Sequence, residues 1–267
     1  RSGKQIIAAE TMGRLGNQMF IVATTHSLAI DHNDTAIFPE SVICVTLPTF
    51  KETSIHRSTV LRKVEYTNDL SSLRYVYNEK PDQSYNPIDY KENLFLKGYF
   101  QSEKYFKHNR EAILDLFSPI PQIEQLLEKK YKNLIHNKNV VSVHIRRGDY
   151  LKFSDQHAIM GNEYYSEAMD KFPSDSTFVF FSDDIEWCKQ TFKGDNYVFI
   201  EKQDDVLDLY LMSKITNNII ANSSFSWWAA WLNENEDKVV VAPKVWFGPK
   251  NQHLSREDLT PEEWILV

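Results

Sequence analysis

Glycine is scarce in this sequence, with 8 among 267 residues, whereas an average chain contains roughly 7%. Each glycine therefore indicates a position where the backbone has a special requirement. Hydrophobic residues make up 42% of the chain and charged residues 25%, a globular composition that excludes disordered and collagen-like classes. The apolar content is sufficient for one large hydrophobic core or two smaller ones.

Cysteine and long apolar runs are also scarce. Two cysteines, Cys44 and Cys188, cannot build a disulfide framework, so we expect a reducing compartment and two small buried apolar side chains. The apolar runs fall short of the ~18–20 residues that a membrane-spanning helix needs. Residues 1–4 contain no methionine, a pattern typical of a trimmed chain, which leaves open a removed leader or anchor.

An excess of basic residues is missing as well, since 37 acidic and 30 basic residues give a net charge of −7. This balance excludes a broadly basic nucleic-acid-binding surface, although a local basic cluster can still hold a small anionic ligand. The sequence also has no H-E-x-x-H, no D-x-D and no clustered His/Cys/Asp spacing. These absences argue against a metal-dependent activity, and we expect no bound cofactor.

The hydrophobic pattern predicts an α/β protein with two Rossmann-like domains. Continuous apolar strands alternate with helices, which is typical of parallel sheets covered on both faces. The predicted strands are 5–10, 94–98, 140–145, 178–182, 197–200, 218–221 and 238–242. The predicted helices are 19–30, 103–117, 123–134, 162–171, 185–192, 206–214 and 225–233. Residues 45–92 are polar and poorly periodic, so we expect loops and short elements there.

The first candidate site is the loop that follows the first strand, because ligands of open parallel sheets bind beyond the carboxyl ends of strands. Its sequence, GRLGNQ at 13–18, lacks the G-x-G-x-x-G and Walker patterns of nucleotide-binding loops. Glycines at a helix N-terminus still offer free amides to an anion, and Asn17 adds a carboxamide. A tight turn with a helix cap explains the same residues.

The strand at 140–145 is followed by two adjacent arginines, Arg146 and Arg147. Side chains alternate along a strand, so His144 and Arg146 share one face. The planar fork of arginine suits a phosphate or a diphosphate. The alternative is a structural ion pair with Asp149 that fixes the conformation of an arginine.

Two later strand ends carry further polar residues. After the strand at 178–182, the carboxylate of Asp183 can accept the N–H groups of a guanine edge or bind a ribose, or else Ser182 or Asp183 caps the next helix. After the strand at 218–221, hydroxyls and amides at a helix start can hold a phosphate. We expect the tryptophans of that helix to pack in the core; they are Trp227, Trp228 and Trp231.

Four stretches, taken in order, resemble one known family. They are GRLGNQMF at 13–20, GYFQSEKYF at 98–106, HIRRGDY at 144–150 and NSSFSWWAAWL at 222–232. Together they resemble the α-1,2-fucosyltransferases of glycosyltransferase family 11, and the C-terminal segments APKVWF and PEEW fit as well. The second half is more similar to the bacterial branch than to the vertebrate one.

The resemblance implies a GT-B fold, with two facing Rossmann-like domains and the active site in the cleft. It implies GDP-fucose as donor, a terminal β-galactoside in a glycan as acceptor, inversion at the anomeric carbon and no metal. Residues 1–135 would form the acceptor-side domain, 136–250 the GDP-fucose-binding domain and 251–267 a tail. A bacterial member would be cytoplasmic or peripheral at the inner membrane, and a Golgi enzyme would require an anchor that has been removed.

Two alternatives stay open beside this reading. The H-x-R-R pattern also occurs in α-1,6-fucosyltransferases, so a different linkage fits the same arginines. A glycan-binding relative that has lost catalysis would keep the fold and many of the motifs. The sequence does not indicate an oligomeric state, and it gives no reason to expect nucleic acid as a partner.

The resemblance also assigns roles to residues. It implies that Arg146 grips the β-phosphate and that Asn17 reaches the phosphate or the transferred sugar, and we place Asp149 in the same catalytic set. No general base is assigned: an arginine partner would keep the pKa of Asp149 low, and His157, whose ordinary pKa would suit a base, lies on a loop of unassigned position. The donor-binding set is His144, Arg147, Ser182, Asp183, Asn222, Ser223, Ser224, Phe225 and Ser226. The acceptor-side set is Gly16, Gln18, Tyr99, Gln101 and Ser102.

Overall fold

The computed structural model describes residues 4–43 and 50–267, so the prediction for Cys44 lies outside the described residues. The contacts divide the chain into two compact units. The first comprises Arg1–Pro119 and Leu254–Pro261, and the second comprises Ile120–His253 and Glu262–Val267. Each unit contains a parallel sheet covered by helices, as the alternation of apolar strands and helices predicts.

The first unit is built around a sheet of five strands with the spatial order β3-β2-β1-β5-β4. In chain order its elements are β1 (Ile6–Ala9), α1 (Leu15–His32), β2 (Thr35–Pro39), α2 (Phe50–Ser58), β3 (Tyr66–Thr67), β4 (Tyr75–Asn78), β5 (Leu94–Lys97) and α3 (Arg110–Leu116). All four strand pairings are parallel. The central strand β1 has apolar side chains throughout, because it is covered on both faces; Ile7 pairs with Ala36 on one side and with Leu94 on the other.

One predicted helix of the first unit is broken in the structure. Residues 103–117 form two short 3₁₀ turns, Glu103–Tyr105 and Lys107–Asn109, before α3 begins. The break occurs at Phe106, whose φ of −143° and ψ of −2° are not helical, and whose ring is fully buried. Tertiary burial of this aromatic ring therefore overrides the local helical pattern.

The second unit has a sheet of six strands with the spatial order β11-β10-β9-β6-β7-β8. Its elements are α4 (Pro121–Ile135), β6 (Val140–Ile145), α5 (Gly148–Lys152), α6 (Asn162–Met169), β7 (Thr177–Ser182), α7 (Ile185–Thr191), β8 (Tyr197–Phe199), α8 (Asp205–Lys214), β9 (Asn217–Ile219), α9 (Ser224–Leu232), β10 (Val240–Ala242) and β11 (Ile265–Leu266). The strand pairings are parallel. This order is that of a doubly wound Rossmann sheet.

Aromatic residues fill the core of the second unit. The three tryptophans of α9 are buried and pack against one another, which confirms their predicted role in the core. Cys188 is also buried and free, and burial raises the pKa of its thiol to about 11, so it behaves as a small apolar side chain.

The two units of the structure do not end at residues 135 and 250, where the sequence analysis places the domain boundaries. Helix α4 belongs to the second unit because it packs on α8, with an ion pair of 2.9 Å between Lys214 Nζ and Glu124 Oε1. The C-terminal residues contribute to both units: Asp258 accepts a hydrogen bond from the Tyr85 amide at 3.0 Å in the first unit, whereas β11 pairs with β10 in the second. Within the described residues, none of the helices combines the length and apolar character that a bilayer span requires.

Candidate functional site

Each sheet has one place where the strand order reverses, and the four motifs follow the strands at these two places. In the second unit, β6 lies beside β9, and the chain continues to β7 on one side and to β10 on the other. In the first unit, β1 lies beside β5, and β2 lies on the opposite side of β1. Loops that follow such neighbouring parallel strands diverge and leave a crevice in which ligands bind. The fold therefore brings the motifs together in pairs, one pair per unit.

Arg146 follows β6 at this edge and is held by a carboxylate. Its Nε and Nη2 lie 3.1 and 2.9 Å from Asp149 Oδ1, and its guanidinium carbon lies 5.4 Å from the centre of the Tyr150 ring. Burial would lower the pKa of Arg146, but the hydrogen bond and charge of Asp149 outweigh it and raise that pKa. The side chain is 21% exposed, so N–H groups that do not face Asp149 remain for an anionic ligand.

Asp183 holds the loop that carries the two arginines. Its carboxylate accepts hydrogen bonds from the backbone amides of Arg147 at 2.9 Å and Gly148 at 2.7 Å. Gly148 leaves room for this contact, since a Cβ there would lie 2.6 Å from Asp183 Oδ2. Asp183 does not cap the following helix; that cap is Asp184, which accepts from the Trp187 amide at 3.2 Å.

Arg147 and Ser182 make contacts within the protein. The Arg147 guanidinium carbon stacks 3.8 Å from the centre of the Trp187 ring, and its Nε lies 3.6 Å from Asp184 Oδ2. Ser182 Oγ accepts a hydrogen bond from the Asp184 amide at 2.9 Å. Both side chains therefore shape the strand end, and both keep partial exposure.

His144 is the buried member of the donor-binding set. It is 5% exposed, its ring centre lies 5.7 Å from that of Phe225, and its Nδ1 has no hydrogen-bond partner among the described residues. Burial and the charge of Arg146 lower its pKa to about 3. The imidazole is therefore neutral at physiological pH and adds no charge beside Arg146.

The start of α9 lies beside this histidine and exposes its first residues. Ser223 caps the helix, with its Oγ accepting from the Phe225 amide at 3.2 Å. Ser224 and Phe225 are half-buried, whereas Ser226 is fully buried. The Asn222 side chain ties neighbouring loops together by donating to the carbonyls of Ala158 at 2.7 Å and Trp246 at 2.9 Å. Ser224 and Phe225 are thus the members of this group open to a ligand.

Tyr150 links the two motif loops of the second unit, a role that the sequence does not reveal. Its hydroxyl donates to the Asn222 carbonyl at 2.8 Å, and its ring stacks on His157 with centres 4.3 Å apart. Burial lowers the pKa of His157 and raises that of Tyr150 to about 12. Tyr150 therefore fixes the spacing between the arginine loop and the start of α9.

In the first unit, the glycine loop positions Asn17. Gly13 has a φ of +75°, which favours glycine, and a Cβ there would lie 2.6 Å from Asn17 Nδ2. Gln18 is buried and donates from Nε2 to the Gly13 carbonyl at 3.0 Å, so it supports the loop from within. Gly16 is buried in the first turn of α1. Asn17 is half-buried, and its Oδ1 accepts from Gln101 Nε2 at 2.9 Å.

The loop after β5 supplies that glutamine. Ser102 is buried and its hydroxyl accepts from the Lys104 amide at 3.2 Å, capping a 3₁₀ turn, whereas Tyr99 and Gln101 keep partial exposure. Glu79, which sequence patterns do not single out, receives hydrogen bonds from the backbone amides of Tyr99 and Phe100. A glutamate directly after a strand in a polar segment gives no sequence signal, because its partners are backbone amides of a loop 20 residues away.

Ion pairs and helix caps account for the acidic residues at these strand ends. Groups of three or more His, Cys, Asp or Glu side chains able to hold a metal ion are absent from the part of the chain that the structure describes. The charged side chains after β6 and β7 are two arginines and three aspartates, in contact with each other. A ligand there would meet Arg146 as the cation least shielded by aromatic stacking.

A comparison with protein families decides the classification. The model of the family described as Glycosyl transferase family 11 matches residues 1–267. The chain belongs to this family. The family predicted by resemblance is therefore confirmed.

Relatives with curated names support this classification. The α-1,2-colitosyltransferase of Escherichia coli is 30% identical, with 98% of this chain and 99% of the relative covered. The O-antigen biosynthesis glycosyltransferase WbnK of Escherichia coli is 35% identical, covering 82% of this chain and 72% of the relative. The galactoside 2-α-L-fucosyltransferase SEC1 of Bos taurus is 27% identical, covering 85% and 64%.

Solved structures support the fold class. The α-1,6-fucosyltransferase NodZ of Bradyrhizobium, co-crystallized with GDP, superposes with a TM-score of 0.54 at 13% sequence identity, covering 86% of this chain and 92% of NodZ. NodZ has a fold of the GT-B type, so the predicted GT-B class is confirmed. At this identity the likeness concerns the fold and not the linkage formed.

Proposed function

We propose that this family 11 glycosyltransferase is an inverting α-1,2-fucosyltransferase. It moves fucose from GDP-fucose to the 2-hydroxyl of a terminal β-galactoside and needs no metal ion. The observation that carries the proposal is the match of the family model to the whole chain. The α-1,2 linkage is supported by the names of two relatives, one of which acts on galactosides.

Arg146 is the group that stabilises the departing GDP. The acceptor hydroxyl attacks the anomeric carbon from the face opposite GDP, and the bond to the β-phosphate breaks as negative charge builds on the phosphate oxygen. A guanidinium fixed by Asp149 at 2.9 Å is in place before that charge develops, so little reorganisation is needed during the reaction. Asp149 acts through the arginine in this proposal, because its carboxylate already faces the guanidinium.

The start of α9 and His144 complete the donor site. The N-terminus of a nine-residue helix offers backbone amides and a favourable dipole to the diphosphate, and Ser224 adds a half-buried hydroxyl. His144 is neutral at physiological pH and packs against Phe225 behind the start of α9, so it shapes the donor site without adding charge. Asp183, in contrast, serves the donor indirectly, by holding the amides of Arg147 and Gly148.

Asn17 is the polar group that the first unit contributes to the reaction. Its Oδ1 accepts from Gln101, which orients the carboxamide, and its Nδ2 carries the N–H groups that can donate to a phosphate oxygen or to the sugar. Tyr99 and Gln101 follow β5 at the same edge and belong to the acceptor side, whereas Gln18 and Ser102 support their loops from buried positions. The proton of the attacking hydroxyl leaves to an acceptor that the proposal does not assign.

A second donor sugar has a specific observation in its favour. The Escherichia coli relative that aligns with this chain over 99% of the relative and 98% of this chain is an α-1,2-colitosyltransferase. Colitose is fucose without its 3-hydroxyl, so the two donors share the nucleotide and the reacting carbon. A colitosyltransferase would use the same arginine and helix start and would differ only around that hydroxyl.

One assay tests the proposal and separates its alternatives. Purified protein is given GDP-fucose or GDP-colitose with lactose, in the presence of EDTA, and the product linkage is determined by NMR. We expect fucosyl transfer to the 2-hydroxyl of galactose at an undiminished rate with EDTA. An α-1,6 product would overturn the linkage, a rate abolished by EDTA would overturn metal independence, and GDP binding without transfer to any β-galactoside would indicate a glycan-binding relative.

A further inference from the structure

Glu79 lies directly after β4 and holds the loop that follows β5. Its Oε1 accepts a hydrogen bond from the Tyr99 amide at 3.0 Å, and its Oε2 accepts one from the Phe100 amide at 2.9 Å. The backbone amide of Glu79 also donates to the Lys97 carbonyl at 2.8 Å, which continues the β4–β5 ladder. One carboxylate therefore binds two successive amides at the edge of the sheet where ligands are expected.

The loop held in this way has a conformation that its sequence does not favour. Phe100 is a non-glycine residue with a φ of +52°, in the left-handed region that is uncommon for bulky side chains, and its ring is fully buried. Such a conformation persists only where the surroundings determine it. Glu79 fits closely here, since a Cβ on Gly98 would lie 2.4 Å from Glu79 Cβ.

The next residue of this loop contacts the group that the proposed mechanism uses. Gln101 donates from Nε2 to Asn17 Oδ1 at 2.9 Å. The contact engages the Oδ1 acceptor of Asn17 and so orients the carboxamide, whose Nδ2 carries the N–H donors. A chain of contacts thus runs from the Glu79 carboxylate through the Tyr99 and Phe100 amides to Gln101 and Asn17.

We propose that Glu79 is a positioning residue for catalysis: it sets the loop after β5 so that Gln101 orients the carboxamide of Asn17. This inference rests on the proposed transferase function and on the role of Asn17 in it. Two acceptor oxygens on one side chain are needed for two successive amides, so glutamine cannot replace glutamate here without losing one bond.

Acid should release the loop. Burial raises the pKa of Glu79, against the hydrogen bonds from Tyr99 and Phe100, and the charge of Asp82 adds to the increase. The other titratable groups that face Glu79 are the hydroxyls of Tyr77 and Tyr105, which are neutral at physiological pH. Because protonation removes an acceptor, the turnover number should fall as the pH drops through the raised pKa of Glu79 and recover above it.

The experiment is a double-mutant cycle on transfer kinetics with GDP-fucose and lactose. We expect Glu79→Gln to lower kcat about tenfold or more, with little change in the KM for GDP-fucose and in GDP binding measured by calorimetry. In the Asn17→Ala background the same substitution should cause less than a twofold further loss, because Asn17 is the group through which it acts. Glu79→Gln should also lose the acid-side fall of the wild-type pH profile.

Two controls keep the inference testable. Glu92→Gln, an exposed carboxylate before β5, should leave kcat at the wild-type value. Gln101→Ala leaves the Glu79 bonds in place and should reproduce the loss of kcat, so a folding defect of Glu79→Gln would not decide the matter alone. The positioning role would be overturned if the fold-losses of kcat for Glu79→Gln and Asn17→Ala multiplied in the double variant. A normal kcat for Gln101→Ala would overturn it as well.

Hydrogen exchange separates this inference from the proposed function. In the Glu79→Gln variant, the backbone amide hydrogens of residues 98–102 should exchange at least tenfold faster than in the wild-type protein. If the wild-type protein transfers no sugar, the proposed function fails, and exchange then decides whether Glu79 holds the loop. Equal exchange rates in the two proteins would overturn the inference whatever the activity.

Discussion

Arg146 pairs with Asp149 and keeps N–H groups that can bind a phosphate. Its contribution to the reaction can be measured by removing the side chain. A charge-assisted hydrogen bond contributes about 1.5–3 kcal/mol, and ~1.4 kcal/mol corresponds to a factor of ten in rate. We therefore expect Arg146→Ala to lower kcat/KM for GDP-fucose at least tenfold. Lys152→Ala, an exposed lysine on α5, is the matched control and should stay near the wild-type value. Turnover of Arg146→Ala close to that of the control would contradict the assignment.

The glycine of the arginine loop provides a second test. A methyl group on Gly148 would lie 2.6 Å from Asp183 Oδ2, so Gly148→Ala should push Asp183 away from the two amides it binds and shift Arg146. In Gly194→Ala, the added methyl group would lie 3.1 Å from Asn196 Oδ1 and 3.4 Å from the Tyr197 ring, a looser fit than at Gly148. We expect the first variant to lose activity severalfold more than the second. Equal kcat/KM values for GDP-fucose in the two variants would exclude a special role for Gly148.

At these positions, residue types could be predicted from the sequence but partners could not. The arginines after β6 suggested either phosphate binding or an ion pair with Asp149, and the ion pair is present while free N–H groups remain. The sequence predicts that Asp183 binds the nucleotide or that Ser182 or Asp183 caps the next helix; the cap is Asp184, and Asp183 binds amides 35 and 36 residues earlier in the chain. Such a contact depends on the pairing of β6 with β7, which residue spacing alone does not specify.

The predicted strands and helices of the second unit agree with the structure except that α5 and β11 have no predicted counterpart, and the agreement is poorer in the first unit. Strand β6 has the predicted bounds, because its six buried residues form an uninterrupted apolar run. Strand β2 has no predicted counterpart, and β3 and β4 fall within 45–92, where the sequence predicts only loops and short elements. All three strands carry partly exposed side chains, which weakens the apolar pattern. Glu79 was missed for the same reason, because it follows the edge strand β4 in a polar segment.

Helix α8 contains a carboxylate whose titration should affect stability. Burial raises the pKa of Asp208 from 3.8 to about 7, although a hydrogen bond from Gln203 opposes the increase. The folded protein therefore keeps this proton to a higher pH than the unfolded chain does. The resulting stabilisation is present below about pH 4 and is lost as the pH rises to about 7.

Replacing this carboxylate should flatten that dependence. Asp208→Asn keeps an oxygen for Gln203 and cannot ionise, so we expect a higher free energy of unfolding than the wild type near pH 8 and a smaller change between pH 4 and 7. Urea unfolding across this pH range measures both quantities. Asp195→Asn, an exposed carboxylate of the same unit, should leave the wild-type pH dependence unchanged. The interpretation fails if Asp208→Asn shows the wild-type slope.

The two units of the chain share one type of sheet topology. Each unit has a parallel sheet, one reversal of strand order, and two motif loops that follow the strands beside it. Half of the eight glycines of this glycine-poor chain lie in the four sequence motifs, and at Gly13, Gly98 and Gly148 a Cβ would come within 3 Å of a neighbouring side chain. The scarce glycines are therefore concentrated where a backbone must approach a functional side chain closely.

Because the proposed phosphate contacts lie mainly in the second unit, GDP alone should protect that unit. GDP at about 100 times its Kd should raise the free energy of unfolding by about 2.7 kcal/mol. Hydrogen exchange should slow in peptides covering 144–150 and 222–226 of the second unit, while peptides covering β2 and β4 of the first unit exchange as before. At the same GDP concentration, Arg146→Ala should reduce both the stabilisation and the slowing of exchange, whereas Lys152→Ala should change neither. Protection confined to the first unit would mean that the donor site has been assigned to the wrong sheet, because every proposed phosphate contact except Asn17 comes from the second.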